Sequence, residues 1–589
     1  MDENFECKRG QYVGVKDGKI AYIGDTEPQE DYGERYDGKH RLLMSGFYNV
    51  HSHAPMTLLR GYAENLPLQR WLGEKVFPFE DKIDDEAAYY GTQLSIAEML
   101  ASGTVSFSDM YFFFDGMMPA IRESGIKCNL SRGLTVFDDS DYESLAAYKD
   151  NLRLLNEWNG EMGGRLIGDL CIHGEYTSTP KVVEAVAAHA KDAGARIHIH
   201  LSETQTEHEE CKQRHGLTPA AYMEAHGIFD SPTTAAHCVW LEDEDFDILK
   251  KHNVSVACCP ASNLKLASGY ANIPKMLEKG INIALGTDGA ASNNNLNILQ
   301  DIYLFGVVYK GFYHDSTLLT PAQVLHTATR AGALSQGRTD CGKLAVGYKA
   351  DLCVIDTDTP QFTPMTDAAC NVVYAAQGAD VRLTMVDGEV LYRGEYTLST
   401  KSERLSSLIQ RVGGVSRYAY VRGAKLRRVA NEEELRRMED VVKMVRREIG
   451  ETLATSLGLK VDSTFTVGID LEAALANPGG DADLVLREGD VLTVPEYNNT
   501  VKVNGAVMMP NTVSYAKGKS VKYYLSQAGG YSANAKKSQK FIIYMNGQVA
   551  EVKGSGKKQI EAGCEIVVPN KTKKLNLPLW YRMSTSFAS

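Results

Sequence analysis

The segment Gly46-Phe47-Tyr48-Asn49-Val50-His51-Ser52-His53 joins a run of strand-forming residues to two histidines. Side chains two positions apart in a strand point to the same side, so His51 and His53 direct both imidazoles to one place. Paired neutral imidazoles are typical ligands of a divalent metal, and such a pair after a first strand is typical of the open end of a barrel. The alternative is two hydrogen-bonded polar residues near a strand end.

The region from residue 51 to about residue 335 alternates strand-like runs with helical segments. Serial β-α units predict an α/β fold with a parallel sheet, and their number fits a closed (β/α)8 TIM barrel, although an open doubly wound sheet has the same periodicity. His53, His200, His237 and Asp288 each fall at the C-terminal end of a strand-like run. A barrel collects its catalytic groups at these ends, so their placement favours the barrel.

The flanks of this region contain short strands and tight turns, and the C-terminal third contains a degenerate repeat. Each copy of the repeat has a helical segment closed by two glycines and a later strand that ends in Val-Pro. The predicted organisation is a small β-sandwich from residues 1–44 and 336–398, a barrel from 45–335, a first repeat at 399–500 with a charged helical insert at 431–457, and a second repeat and tail at 501–589.

The bulk composition is that of a globular protein, with 43% hydrophobic and 23% charged residues. The 589 residues exceed what one core accommodates, so several domains are expected. No apolar run approaches the roughly 20 residues of a membrane span, and the acidic N-terminus lacks the apolar stretch of a secretory signal. The 11 cysteines show no regular framework, which is typical of reduced thiols. We therefore expect a cytoplasmic protein.

Charge and histidine content divide the chain near residue 400. The net charge is about −22 before that point and about +10 after it, and all 14 histidines lie at or before His326. Any histidine chemistry therefore belongs to the first part. The basic C-terminal third lacks the interleaved aromatic and basic residues of nucleic-acid sites, so no nucleic-acid partner is expected.

The polar residues at the strand ends predict a catalytic metal centre with His51, His53, His200 and Asp288 as ligands. A divalent metal lowers the pKa of a bound water to about 7, and Asp288 and His237 are placed to orient or deprotonate it. Glu203 follows His200 by three residues and is predicted to carry a proton to the substrate and its leaving group. This set describes hydrolysis at an electron-poor carbon.

The other histidines have simpler interpretations. His198 precedes His200 by two residues, and we expect it to be packed or hydrogen-bonded in the barrel rather than a ligand. The polar helical segments favour solvated side chains for four more, His189, His208, His215 and His252.

Five motifs together resemble the amidohydrolase superfamily, and most closely its 5-methylthioadenosine/S-adenosylhomocysteine deaminases. The motifs are His51 to Gly61, His200 to Thr204, Ala236-His237-Cys238, Pro260 to Leu266 and Gly286 to Asn294, and the resemblance covers nearly all of residues 1–398. It implies a distorted (β/α)8 barrel and one Zn²⁺ per chain, with Fe²⁺ as the alternative. The implied reaction is hydrolytic deamination of an adenine nucleoside, with ammonia as a product.

The resemblance also implies substrate contacts. Glu80 would bind the ribose hydroxyls, Arg132 and His173 would contact the nucleoside, and Glu203 would face the purine ring nitrogen. Asp288 and Ser292 complete the implied substrate-binding set. A carboxylate such as Glu80 can accept hydrogen bonds from both hydroxyls of a cis-diol.

One departure bears on the substrate. The family member that binds the carboxylate of S-adenosylhomocysteine uses a second arginine in the stretch that corresponds to residues 135–150, which here contains none. Lys149 is the nearest substitute, without the bidentate geometry of a guanidinium. The sequence therefore favours methylthioadenosine or adenosine over S-adenosylhomocysteine.

The C-terminal repeats resemble the SLBB (soluble-ligand-binding β-grasp) repeats of polysaccharide export proteins, with residues 501–568 the clearer copy. That resemblance implies carbohydrate or assembly partners and no catalysis. The deaminase-like part is typical of the cytoplasm and the SLBB-like part of the cell envelope. A natural fusion or a joining of two reading frames would explain why one chain contains both.

Two alternative functions stay open from sequence. One is an amidohydrolase that acts on a different heterocycle, of the guanine or triazine type. The other is a noncatalytic envelope or polysaccharide-export component with an inert barrel. A homo-oligomer is compatible with either.

Overall fold

A computed structural model describes residues 1–394, 398, 400, 402–412, 414–415, 419–449, 464–495 and 497–571. The chain divides into two compact units, Met1–Glu395 and Tyr396–Ser589. Within the described residues, no helix is both long and apolar enough to cross a membrane.

The first unit is built around an eight-stranded sheet in which each strand pairs with the next along the chain. All seven pairings are parallel. This arrangement confirms the predicted TIM-barrel class. Numbering every strand of the chain in order, the barrel strands are β4 (Phe47–Ser52), β5 (Thr104–Tyr111), β6 (Lys127–Arg132), β7 (Leu166–Ile172), β8 (Arg196–Leu201), β9 (Thr233–His237), β10 (Ser255–Cys258) and β11 (Asn282–Leu285).

The first and last barrel strands meet without a regular ladder in the described structure. Instead, the amide of Asp288 donates to the carbonyl of His51 (2.9 Å). The Asn49 side chain accepts from the Thr287 amide (3.0 Å) and donates to the Thr287 hydroxyl (2.7 Å). These contacts set His51 and Asp288 side by side at the closing point of the barrel.

Helices cover the outside of the barrel, and local sequence signals set their ends. The helix Asp85–Ala101 begins where the Asp84 side chain accepts from the Ala87 amide, and the helix Pro180–Ala193 stops at Gly194, which has φ 62°. The remaining helices of this unit are Leu68–Trp71, Leu72–Val76, Phe77–Glu80, Phe114–Ser124, Ala146–Arg153, Leu154–Trp158, Glu161–Gly164, Gln205–His215, Pro219–Ala225, Asp243–Lys251, Pro260–Lys265, Ile273–Glu278, Ile298–Tyr313, Pro321–Ala328, Arg330–Ser335 and Ala368–Tyr374, with short 3-10 turns between some of them.

Strands from both sides of the barrel segment share one flanking sheet. β3 (Arg41–Ser45) pairs with β12 (Leu352–Asp356), which continues to β13 (Val381–Val386) and β14 (Glu389–Arg393). A separate hairpin of β1 (Tyr12–Lys16) and β2 (Lys19–Gly24) packs near this sheet through Ile20 and Leu352.

The second unit repeats one arrangement. A helix is followed by three strands in which the first pairs antiparallel with both of the others, in the order β16-β15-β17 and again β21-β20-β22. The second copy adds β18, parallel to β22, and β19. The ranges are Leu405–Arg411, β15 (Lys425–Val429), β16 (Thr464–Gly468) and β17 (Val491–Thr493), then β18 (Thr500–Gly505), β19 (Asn511–Ser514), Val521–Gln527, β20 (Phe541–Ile543), β21 (Val549–Glu551) and β22 (Glu565–Val568).

The sequence repeat is therefore also a structural repeat. The charged insert predicted at 431–457 contains the helix Glu432–Ile449, whose start is capped by reciprocal hydrogen bonds between Asn431 and Glu434. A shorter helix, Leu471–Ala476, lies between β16 and β17. The rest of the insert, residues 450–457, and the tail from 572 lie outside the described residues.

Close packing of two barrel helices gives a stability prediction. A Cβ at Gly116 would overlap the carbonyl oxygen of Asp85 at the start of the neighbouring helix. We expect Gly116→Ala to lower the free energy of unfolding by about 1–3 kcal/mol through overpacking. Gly311→Ala is the matched control, because nothing lies within 4 Å of its added Cβ and alanine is the better helix former. Equal melting temperatures for Gly116→Ala and Gly311→Ala would contradict the predicted overpacking at Gly116.

Candidate metal centre and nucleoside pocket

Five side chains from four strand ends converge at the C-terminal end of the barrel. Two groups of potential ligand atoms, each within 4.8 Å of one another, share His51: one with His200 and His237, the other with His53 and Asp288. The Oδ1 atom of Asp288 lies 3.6 Å from Nε2 of His51 and 3.3 Å from Nε2 of His53. The structure thus brings together all the residues predicted to surround a metal.

The second ring nitrogens of the histidines are held by neighbouring groups. Such contacts fix ring orientation and leave Nε2 directed at the centre. The contacts are His51 Nδ1 with His198 Nε2 (3.0 Å), His53 Nδ1 with the Met110 carbonyl (2.7 Å), His200 Nδ1 with the His173 carbonyl (2.7 Å) and His237 Nδ1 with Asn263 Oδ1 (2.8 Å).

The donor set fits a divalent cation. His51 is fully buried, and its Nε2 has no hydrogen-bond partner, which is costly for a polar atom unless it has a ligand. Burial and neighbouring histidines lower the pKa of both His51 and His200 well below the usual range, so these rings are neutral and able to bind a metal. Burial lowers the pKa of His53, but Asp288 raises it to about 9, so a cation competes with a proton there.

Asp288 is held in one orientation. Its Oδ2 accepts from the hydroxyls of Ser262 (2.5 Å) and Ser292 (2.9 Å), while Oδ1 accepts from the Gly289 amide (2.7 Å) and faces the histidines. Burial raises the pKa of Asp288, but His53 and the other histidines lower it well below the ordinary value. The carboxylate is therefore charged at neutral pH.

Glu203 lies beside this cluster. Its Oε2 is 3.7 Å from Nε2 of His237, and its Oε1 accepts from the Ser268 hydroxyl (3.3 Å). Burial raises the pKa of Glu203, although His237 opposes that shift. A buried glutamate with a raised pKa holds a proton to higher pH than an exposed one, which suits a proton carrier.

Glu207 is a buried acid that the sequence interpretation missed. Its carboxylate accepts from the amides of Ser202 (2.9 Å) and Glu203 (2.7 Å), and burial raises its pKa to about 7. The pattern gave a weak signal, since a glutamate in the first helical turn after a strand often bonds free amides. Glu207 holds the loop that carries Glu203.

Several site residues have left-handed backbones that are unfavourable for side chains other than glycine. The φ angles are 47° at Ser202, 73° at His237 and 62° at Asp288. Such conformations cost about 1–3 kcal/mol each and are concentrated at functional sites. Here they turn the chain at the strand ends toward the centre of the barrel.

A cavity of about 480 Å³ opens onto the cluster. Its lining includes His53, His173, His200, Glu203 and Asp288, together with His237 and Glu80. Burial raises the pKa of Glu80 and lowers that of His173 to about 4. The volume is in the range of small-molecule sites.

Two residues predicted to contact substrate are placed differently. Arg132 is not among the lining residues; its guanidinium donates to Asp150 (2.9 Å) and to the Gly133 carbonyl (2.7 Å). Ser292 is buried against Asp288. Their contacts with substrate stay predictions.

Comparisons with known proteins agree with this geometry. A 5-methylthioadenosine/S-adenosylhomocysteine deaminase of Syntrophomonas wolfei is 41% identical over 383 residues, covering 64% of this chain and 88% of the relative. A 5'-deoxyadenosine deaminase of Methanothermobacter thermautotrophicus is 38% identical over 386 residues, covering 66% and 90%. A crystal structure of an adenosine deaminase from Xanthomonas campestris with bound zinc superposes with a TM-score of 0.60 at 30% identity, covering 65% of this chain and 88% of that one.

The amidohydrolase family model matches residues 42–391, which contain the whole barrel and every residue of the candidate metal centre. The match confirms the resemblance drawn from the motifs at His51, His200, His237 and Asp288. The chain, by its barrel, its cluster of histidines and Asp288 and these relatives, belongs to the amidohydrolase family.

Proposed function

We propose that this chain is a metal-dependent deaminase of adenine nucleosides. Water adds to C6 of the purine, the C6–N bond to the exocyclic amino group breaks, and the products are the inosine derivative and ammonia. The names of the relatives support this reaction, because methylthioadenosine, S-adenosylhomocysteine and 5'-deoxyadenosine share the adenine base.

The observation that carries the proposal is the buried cluster of imidazoles and a carboxylate at the floor of the cavity. His51, His53, His200 and Asp288 would hold the metal, and zinc is proposed because the Xanthomonas campestris structure contains it. A divalent cation there would acidify a water and make it nucleophilic near neutral pH. The His51 nitrogen that lacks a hydrogen-bond partner supports the choice of ligands.

Charged side chains at the cavity floor are proposed to move the protons. Asp288, ionised at neutral pH, would accept a proton from the attacking water. Glu203 would donate a proton to the purine ring nitrogen and later help the amino group leave as ammonia. His237, whose Nδ1 is held by Asn263, would donate from or accept at Nε2 to orient the water.

The nucleoside would bind with its base against the metal cluster and its sugar toward Glu80. The buried Glu80 carboxylate lines the cavity and can accept from two ribose hydroxyls. His173 lines the same cavity, and burial keeps its ring neutral, which suits a hydrogen bond to the nucleoside. Contacts from Arg132 and Ser292 belong to the same proposal.

The test is ammonia release by the purified full-length protein from methylthioadenosine, 5'-deoxyadenosine and adenosine, with guanine as the competing heterocycle. We expect turnover of the adenine nucleosides and none of guanine. Turnover of guanine alone would replace this proposal with another amidohydrolase reaction. An absence of both turnover and bound zinc would instead favour the noncatalytic alternative.

For the second unit, we propose an SLBB-type role in binding carbohydrate or an assembly partner. The repeated helix and three-strand arrangement of β15–β17 and β20–β22 supports this assignment.

A further inference from the structure

The wall of the cavity away from the metal cluster is apolar. Aliphatic and aromatic side chains from the segment 68–77 and from two loops contribute to it, and Phe137 exposes 75% of its surface at the mouth. The apolar side chains of this wall include Leu68, Trp71, Leu72, Val76, Phe113 and Phe137. A surface of this kind favours an apolar substituent on the bound molecule.

Apart from the histidines of the cluster, the ionisable acid and base side chains that line the cavity are acidic. Among the described lining residues, Glu80, Asp81, Glu203 and Asp288 are acidic, and none is lysine or arginine. Lys149, the cation nearest in sequence to the missing arginine, is exposed and does not line the cavity. An incoming carboxylate would therefore lose water without gaining a cationic partner, which costs several kcal/mol if unpaired.

Arg132 is a cation that contacts two residues lining the cavity, and it is already paired. Its guanidinium lies 5.0 Å from the ring centroid of Phe112, a lining residue, and its Nη1 donates to the carbonyl of Gly133, another lining residue. Its Nε donates to Asp150 at 2.9 Å, and the two side chains are partly buried, with 17% and 30% of their surface exposed. Asp150 thus neutralises the charge of a guanidinium that contacts the lining of the cavity.

We propose that the pocket selects adenine nucleosides whose 5′ substituent is neutral and apolar, and that Asp150 sets this preference by holding Arg132. The proposal rests on the proposed deaminase function. It assigns methylthioadenosine and 5'-deoxyadenosine as the substrate class and places nucleosides with an amino-acid carboxylate outside it.

The first experiment separates charge from size. It compares kcat/KM for S-adenosylhomocysteine with that for 5'-butylthioadenosine, a neutral thioether with a chain of similar length. We expect the charged nucleoside to be at least about tenfold poorer, since a site without a partner rejects a polar group strongly. Equal values of kcat/KM would overturn the proposal.

The second experiment tests Asp150 directly. Asp150→Asn releases the charge of Arg132, and we expect it to improve the ratio of S-adenosylhomocysteine to butylthioadenosine by about threefold or more. Adding Arg132→Met to this variant should remove the gain. Asp115→Asn is the matched control. Asp115 pairs with Arg153, which lies on the same helix as Asp150, and Asp115 does not line the cavity.

The outcomes distinguish failure of the deaminase function from failure of the role given to Asp150. No ammonia from any adenine nucleoside would mean that the deaminase function is wrong. Ammonia from all of them, with an unchanged ratio in Asp150→Asn, would mean that the function is right and that Asp150 does not set the preference. Correct folding of each variant is checked by its thermal melting temperature against that of the wild type.

Discussion

Replacing His200 with alanine is expected to remove both ammonia release and bound metal from the full-length protein. His200 supplies one of the clustered nitrogens, and the contact of its Nδ1 with the His173 carbonyl leaves Nε2 directed at the cluster. We expect kcat/KM for methylthioadenosine to fall by about 10³-fold or more, which is a loss of roughly 4 kcal/mol in transition-state stabilisation. Zinc content by elemental analysis should fall in parallel.

The matched control for this prediction is His226→Ala. His226 lies at the end of the helix Pro219–Ala225, where its Nδ1 contacts Glu184, and it does not line the cavity. That variant should keep its zinc and its turnover. Full activity in the His200 variant would exclude the proposed ligand set.

Replacing Glu203 with glutamine is expected to separate catalysis from metal binding. The amide keeps the shape of the side chain and its contact with Ser268, but it cannot carry a proton. General acid–base catalysis is worth about 10²–10⁴-fold, so we expect kcat to fall by that amount with zinc content unchanged. Steady-state kinetics and metal analysis on the same preparation check both parts.

Glu209→Gln provides the comparison for the Glu203 variant. Glu209 is exposed on the helix Gln205–His215, and its substitution should leave kcat unchanged. A Glu203→Gln enzyme that retains wild-type kcat would assign the proton transfer to another group. Loss of zinc from that variant would instead place Glu203 among the ligands.

The sequence predicted the parts of the site that depend on strand periodicity. His51, His53, His200, His237 and Asp288 each follow a strand-like run, and parallel strands bring their C-terminal ends to one edge. The barrel and the convergence of these side chains could therefore be predicted from the sequence, while their role as metal ligands stays a prediction. The internal repeat was also visible, because Gly-Gly and Val-Pro punctuate both copies.

Contacts between distant segments could not be read in this way. His208 was expected to be solvated, but it is buried and bonds Glu242, because the helix Gln205–His215 folds back over the loop before the helix Asp243–Lys251. The prediction for His208 was wrong. Likewise, no periodicity reveals that Asp150 reaches Arg132, since a side-chain ion pair between a strand end and a helix depends on the folded path of the chain.

The junction of β4 with β11 makes the barrel wall an incomplete ring. One backbone hydrogen bond and the Asn49–Thr287 contacts close it, while His51 and His53 stand on one side and Asp288 on the other. A cation bound by these three residues would cross-link the first and last strands of the barrel. Loading of the cofactor and integrity of the barrel would then be linked thermodynamically, each strengthening the other by the same free energy. The cation that supports catalysis would then also stabilise the fold.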